Sequence, residues 1–190
     1  MKQLFSRLPK KILGAALVVV AVTGLAAGAK AWYPDRPTFT MQNPAPFVTF
    51  NSITYNPDYG DERTFFDAKD AANTGAGGFA DKVNTAGGKE VLLRVYVHND
   101  ASSNLNGADF TGTGVAKGTK VRIALPTATD NALRANAYVS STNAKPGEVA
   151  DTVDFGSTTP FSVSYVPGSA VMYTNAVPAG FKLADSIVTT

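Results

Sequence analysis

Residues 90–99, EVLLRVYVHN, decide the fold class. Val91, Leu93, Val95 and Val97 fall on one side of an extended chain, and Leu92, Arg94, Tyr96 and His98 fall on the other. A period of two belongs to a strand with one face on a core, because successive side chains point to opposite faces. The pattern recurs outward from this stretch. In TKVRIALP, residues 119–126, Val121, Ile123 and Leu125 alternate with Lys120, Arg122 and Ala124. Leu133, Ala135, Ala137 and Val139 alternate with Arg134, Asn136 and Tyr138, and PFSVSYVPG sets Phe161, Val163 and Tyr165 inward. SAVMYTN and GFKLAD read as further short strands. Clusters of Gly, Pro, Asn, Asp and Ser punctuate these runs, and no sustained helical period appears after Trp32. The expectation is an all-β fold, a two-sheet antiparallel sandwich, Ig-like, with a jelly roll as the alternative.

The first thirty residues have a different character. Lys2, Arg7, Lys10 and Lys11 form a basic start, and an uncharged stretch over 12–28 has Leu17-Val18-Val19-Val20 at its centre. Ala29-Lys30-Ala31 places small residues at −3 and −1, which predicts signal-peptidase cleavage before Trp32. Residues 1–31 are therefore expected to be a signal peptide in the form of an apolar leader helix. Residues 32–190 would be one β-domain outside the cytoplasm, secreted or at the cell surface. An uncleaved anchor is the alternative: 17 residues at about 1.5 Å each just span a bilayer, so membrane contact would be confined to 12–28.

The leader also distorts the charge. The formal net charge is +2, but five of the 17 Lys and Arg lie in residues 1–31 and none of the 15 acids does. What remains is 12 basic against 15 acidic side chains, a net charge of −3. No basic stripe is left to bind nucleic acid. There is no cysteine, which removes disulfides and thiolate chemistry, and the single histidine removes a His-rich metal site within one chain.

Residues 47–66, FVTFNSITYNPDYGDERTFF, look most like chemistry. Val48 and Phe50 share one face and Ile53 and Tyr55 the other, so the phase changes near Asn51-Ser52, as a β-bulge would produce. Asn56-Pro57-Asp58-Tyr59-Gly60 has the residues of a turn, with φ fixed at Pro57 and positive φ available at Gly60. A catalytic reading of Asp58, Asp61 and Glu62 needs fixed separation and divergent environments, and adjacent acids on a polar turn show neither. The expectation is a structural turn with a solvated pairing of Asp or Glu to Arg63.

Other constellations are weaker. GAGGFA, residues 75–80, matches a dinucleotide-loop spelling but is preceded by DAKDAANT rather than a hydrophobic strand. NDASSNLNGADFTG carries oxygen donors at Asp100, Asn104, Asn106 and Asp109. It lacks the Asp and Glu at the ends of an EF-hand loop, which leaves a non-standard calcium site against a plain Asx-rich loop. His98 has no nucleophile elbow to serve, so no catalytic residue is assigned. SYVPGSAVMY with Tyr96 and Tyr138, read as exposed, could form an aromatic strip, but an aromatic row across neighbouring strands more often stabilises the sheet. Two long loops, 67–89 and 99–118, are expected to carry any partner contact.

The runs DRPTFTMQNPAPFVTFNSITYNPDYGDERTFF, VYVHNDASSNLNG with GVAKGTKVRIALP, AYVSSTNAKPGEVADTV and FSVSYVPGSAVMYTNAVPAGFKLADSIVTT resemble uncharacterised exported proteins of candidate-phylum bacteria and actinobacteria. The VYVHND to KVRIALP portion is also similar to the Ig-like conserved-repeat domain of bacterial surface proteins. The resemblance covers nearly all of 34–190 and implies a surface β-domain, with no catalytic residue to carry over. Those relatives continue beyond the run like LADSIVTT, which raises the expectation of a domain truncated at its C-terminus. The β-branched end Ile187-Val188-Thr189-Thr190 is then an edge open to self-association. The function expected is a non-enzymatic module for adhesion, envelope structure or partner binding, its partner a protein or glycan at a cell surface. The alternatives are a secreted hydrolase directed at glycan or peptide and a carbohydrate-binding module.

Overall fold

The structure is a computed structural model that describes residues 16–21 and 36–189. These residues form ten strands and no α-helix: β1 (Ala16–Ala21), β2 (Phe66–Asp70), β3 (Lys82–Asn84), β4 (Val91–Val97), β5 (Lys120–Ala124), β6 (Asp130–Ser140), β7 (Glu148–Phe161), β8 (Val171–Tyr173), β9 (Phe181–Lys182) and β10 (Val188–Thr189). The all-β expectation therefore holds. One five-stranded sheet has the order β2-β4-β1-β8-β9 and the other the order β10-β5-β6-β7-β3. Neighbours are antiparallel except β10 with β5 and β3 with β7.

Both sheets feed one core. Phe66, Ala68, Val91, Leu93 and Val95 from the first sheet join Ile123, Leu133, Ala135, Ala137, Val139, Val153 and Phe155 from the second in a single buried cluster. These are the inward positions that the period-two pattern marks on β4, β5 and β6. Fully burying side chains of this kind stabilises by about 1.5–3 kcal/mol each, which is what holds a chain without disulfides. The longest pairing runs between β6 and β7, from Leu133 opposite Phe155 to Ser140 opposite Glu148.

Two differences from the sequence reading have clear physical reasons. β2, FDAKD, runs from Phe66 into the stretch 67–89 expected to be a loop, because Asp and Lys break its apolar alternation. Asp67 and Lys69 are nonetheless buried, since both find polar partners on the face away from the core. The second difference is β1. Most of the leader, including the bond before Trp32, lies outside the described residues, but Ala16–Ala21 is extended where a helix was expected. It runs antiparallel to β4 from Ala16 opposite Val97 to Ala21 opposite Leu92, and to β8 from Leu17 opposite Tyr173 to Val19 opposite Val171. An apolar run with consecutive valines suits a buried strand as well as a helix, and periodicity does not separate the two. Among the described residues no helix is long and apolar enough to cross a membrane. β10 sits at the edge of its sheet, so the β-branched terminal segment is paired on one side only.

Candidate functional site

The turn expected after Tyr55 forms. The Gly60 N–H donates to the Asn56 carbonyl at 2.7 Å, Gly60 takes φ +93°, and the Asn56 side chain accepts from the Asp58 N–H at 2.9 Å. Asp61 and Arg63 make the expected partly exposed ion pair at 2.6 Å. Glu62 does not share that fate. It is fully buried, with 0% of its surface exposed. Its backbone N–H donates to the Ile53 carbonyl, and with Asp61 turned outward the next side chain points inward.

What Glu62 meets is His98, just past the end of β4. The His98 Nδ1 lies 3.0 Å from each carboxylate oxygen of Glu62 and 3.0 Å from Asp100 Oδ1. The three side chains bring one donor atom each to within 4.8 Å of one another. Neighbours fix the arrangement. The Asn56 amide donates to Glu62 Oε1 at 2.5 Å, and the Ser52 N–H donates to Asp100 Oδ2. Asn51, buried at the site of the expected bulge, takes φ +51°, a conformation that Asn tolerates better than most residues. Its side chain accepts from the His98 N–H at 3.1 Å and donates to the Tyr96 carbonyl at 2.9 Å.

The electrostatics follow from burial and pairing. Burial opposes charge on His98, but the facing carboxylates of Asp100 and Glu62 outweigh it and push the imidazole up to about 10. Burial, only partly offset by His98, raises the Asp100 carboxyl. Although Asp100 Oδ1 lies 3.0 Å from Nδ1, it has no hydrogen-bond partner among the described residues. The distance fits an ion pair, but the alignment is not that of a ring N–H bond.

His98 and Asp100 line a cavity of about 550 Å³ whose wall includes Tyr59, Tyr96, Met41 and Phe110. Met41 is 47% exposed and Phe110 is 75% exposed. Phe110 holds φ +54°, an unfavourable region for an aromatic residue, in the loop between β4 and β5. That loop is closed by Gly112, whose N–H donates to the Asn106 carbonyl at 2.7 Å. A Cβ at Gly112 would lie 2.0 Å from the Leu105 carbonyl oxygen, so only glycine fits.

The calcium candidates divide. Asp100 and Asn106 line the cavity, whereas Asn104 lies exposed in the 3-10 turn Ser103–Leu105 and Asp109 is exposed in the loop. The exposed aromatic strip needs correction. Tyr96 is buried and stacks on Tyr59 with ring centroids 4.1 Å apart, because the 56–60 turn folds over that face of β4. Tyr138 is half-buried beneath the Arg122 guanidinium, 3.8 Å from its ring centroid. The Tyr59 hydroxyl donates to the Thr64 carbonyl, and Asp67 joins it to Arg94, whose guanidinium lies 4.4 Å from the Phe79 ring centroid. Glu62, expected on a solvated turn, is the member of the site whose burial the sequence did not show. The only signal for it was its position directly after a residue that pairs outward.

Comparisons with family models, with curated proteins and with solved structures return no match.

Proposed function

We propose that the chain is a secreted or cell-surface binding module, an Ig-like β-sandwich without catalytic activity, that engages a protein or glycan of the cell envelope. The observation that carries this reading is the cavity with Met41 and Phe110 standing exposed at its wall beside His98 and Asp100. Exposed apolar side chains gathered around a concavity with a few polar groups are the usual makings of a recognition site. A strained, exposed Phe110 also fits binding, since strain of this kind collects at ligand-contacting loops. The leader of residues 1–31, read as a signal peptide or anchor, supports an extracytoplasmic location.

The hydrolase alternative has less support. A glycosidic acid–base pair flanks its bond with carboxyls about 5–9.5 Å apart and open to substrate. Glu62 and Asp100 instead converge on one imidazole nitrogen within 4.8 Å, with Glu62 fully buried. A carbohydrate-binding module would offer a row of free aromatic faces, whereas Tyr59 and Tyr96 cover each other and Phe110 alone among the cavity's aromatics is exposed. An apolar protein side chain therefore suits the cavity better than a sugar ring.

Incubating the full chain with bacterial envelope fragments tests the non-catalytic part of this reading. Retention on the fragments without release of soluble sugar or peptide is expected. Release that grows with time and protein concentration would overturn it.

A further inference from the structure

We infer that Glu62, His98 and Asp100 form a binding site for one divalent first-row transition-metal ion, gripped on one face with its remaining positions toward the cavity. This inference stands on the side-chain geometry and does not depend on the envelope-binding reading. It also differs from the calcium set read in the sequence, with which it shares only Asp100.

The spacing is the first argument. Glu62 and Asp100 each place a carboxylate oxygen 3.0 Å from His98 Nδ1. Two donors about 2.1 Å from a metal and subtending a right angle are about 3.0 Å apart. The same bonds at a tetrahedral angle would separate them by about 3.4 Å. The two N···O spacings match adjacent positions of an octahedral shell, and the Glu62 and Asp100 oxygens lie within 4.8 Å of each other.

The second argument is a shortage of protons. One Nδ1–H serves one acceptor well, yet three carboxylate oxygens lie 3.0 Å from that nitrogen. Asp100 Oδ1 is left without a hydrogen-bond partner in a residue only 2% exposed. A buried, unsatisfied carboxylate oxygen costs free energy, and a divalent ion that displaces the Nδ1 proton to solvent would satisfy it while keeping the imidazole nitrogen at the focus.

Outer contacts are arranged as around metal ligands. Asn56 bonds Glu62 Oε1 and the Ser52 N–H bonds Asp100 Oδ2, so each carboxylate is oriented from behind and presents its other oxygen. The charges also suit a divalent ion, which would balance two carboxylates that are both withdrawn from water. An imidazole nitrogen with carboxylates favours manganese, iron, cobalt or zinc, whereas calcium and magnesium take oxygen ligands. His98 and Asp100 line the cavity, which provides the entry path, and Glu62 closes the site from behind.

The chain has one histidine, so a single imidazole reports directly on the site. The full chain is stripped with chelator, labelled with ¹⁵N-histidine and titrated with Zn²⁺, with Mn²⁺ and Ca²⁺ in parallel. The expected result is saturation at one Zn²⁺ per chain with the change at the Nδ1 resonance. Mn²⁺ should broaden the same imidazole signals, and Ca²⁺ should leave them unchanged. Glu62→Gln should weaken Zn²⁺ binding at least about ten-fold. If Glu62→Gln does not fold, the wild-type titration alone decides. An imidazole unchanged by Zn²⁺ and Mn²⁺ at millimolar concentration, coordination through Nε2, or unaltered affinity in a folded Glu62→Gln variant would each overturn the inference.

Discussion

Glu62 and His98, thirty-six residues apart in the chain, meet at 3.0 Å in a place where the Glu62 side chain is wholly shielded from water. The turn at 56–60 and the end of β4 are thereby tied together through charge. Truncating one member of a buried ion pair costs about 3–5 kcal/mol when the other is left uncompensated, and somewhat less here because Asp100 still faces His98. Glu62→Ala should lose stability on that scale in urea unfolding. Asp61→Ala, one residue away but in a partly exposed pair with Arg63, should lose less than about 1 kcal/mol. Equal losses from the two substitutions would show that the turn is held by something other than this contact.

Stability should decline as pH rises, in two steps. Burial, against hydrogen bonds from the Phe66 and Thr152 backbone, raises the Asp151 carboxyl to about 7. A folded-state value above the unfolded one means that the native state binds the extra proton. This contribution is fully present below about pH 4 and is lost as pH rises through 7. His98, raised to about 10, contributes stability that is fully present below about 6.5 and is lost as pH rises through 10. Wild-type Tm should fall between pH 5 and 8, and Asp151→Asn should flatten that fall by a share on the order of 2–4 kcal/mol. An unchanged slope in Asp151→Asn would assign the decline to other groups.

If residues 1–31 are a cleaved leader, β1 places strand pairing and export in competition for the same residues. Cleavage before Trp32 would remove Ala16–Ala21 and leave β4 and β8 without the strand that lies between them. Unpaired strand edges recruit other chains. Residues 32–190 alone should self-associate in size-exclusion chromatography, and an added peptide spanning residues 14–23 should reverse the association. A stable monomer of 32–190 at high concentration would mean that β1 is dispensable.

The sequence pattern is most faithful where one face of a strand meets the core and the other meets water or a polar partner. β4, β5 and β6 are of this kind, and Val91, Leu93, Ile123 and Val139 sit as the alternation requires. The turn at 56–60 was legible for a similar reason, since Pro57 and Gly60 fix backbone angles locally. The pattern fails where burial is polar. Asp67, Lys69 and Glu62 carry charges that normally mark solvent, and only partners distant in sequence, Arg94, Gly75 and His98, let them go inside. Tyr96 was misjudged as exposed because nothing in β4 itself announces that the following fold lays Tyr59 across it. Ala16–Ala21 lies between a basic start and an Ala-x-Ala end that point to a leader, and its own apolarity fits a leader and a strand equally.

The central claim, that the cavity flanked by Met41 and Phe110 is the binding surface, is tested by retention of labelled full chain on bacterial envelopes. Met41→Ser and Phe110→Ser remove exposed side chains and should leave Tm nearly unchanged. Phe181→Ser, which removes an aromatic side chain of intermediate exposure between those two on β9, away from the cavity lining, is the control. The account predicts that Met41→Ser with Phe110→Ser lowers retention at least about ten-fold, the loss of two anchors worth about 1 kcal/mol or more each, while Phe181→Ser binds as wild type. Equal retention by all three proteins would contradict it.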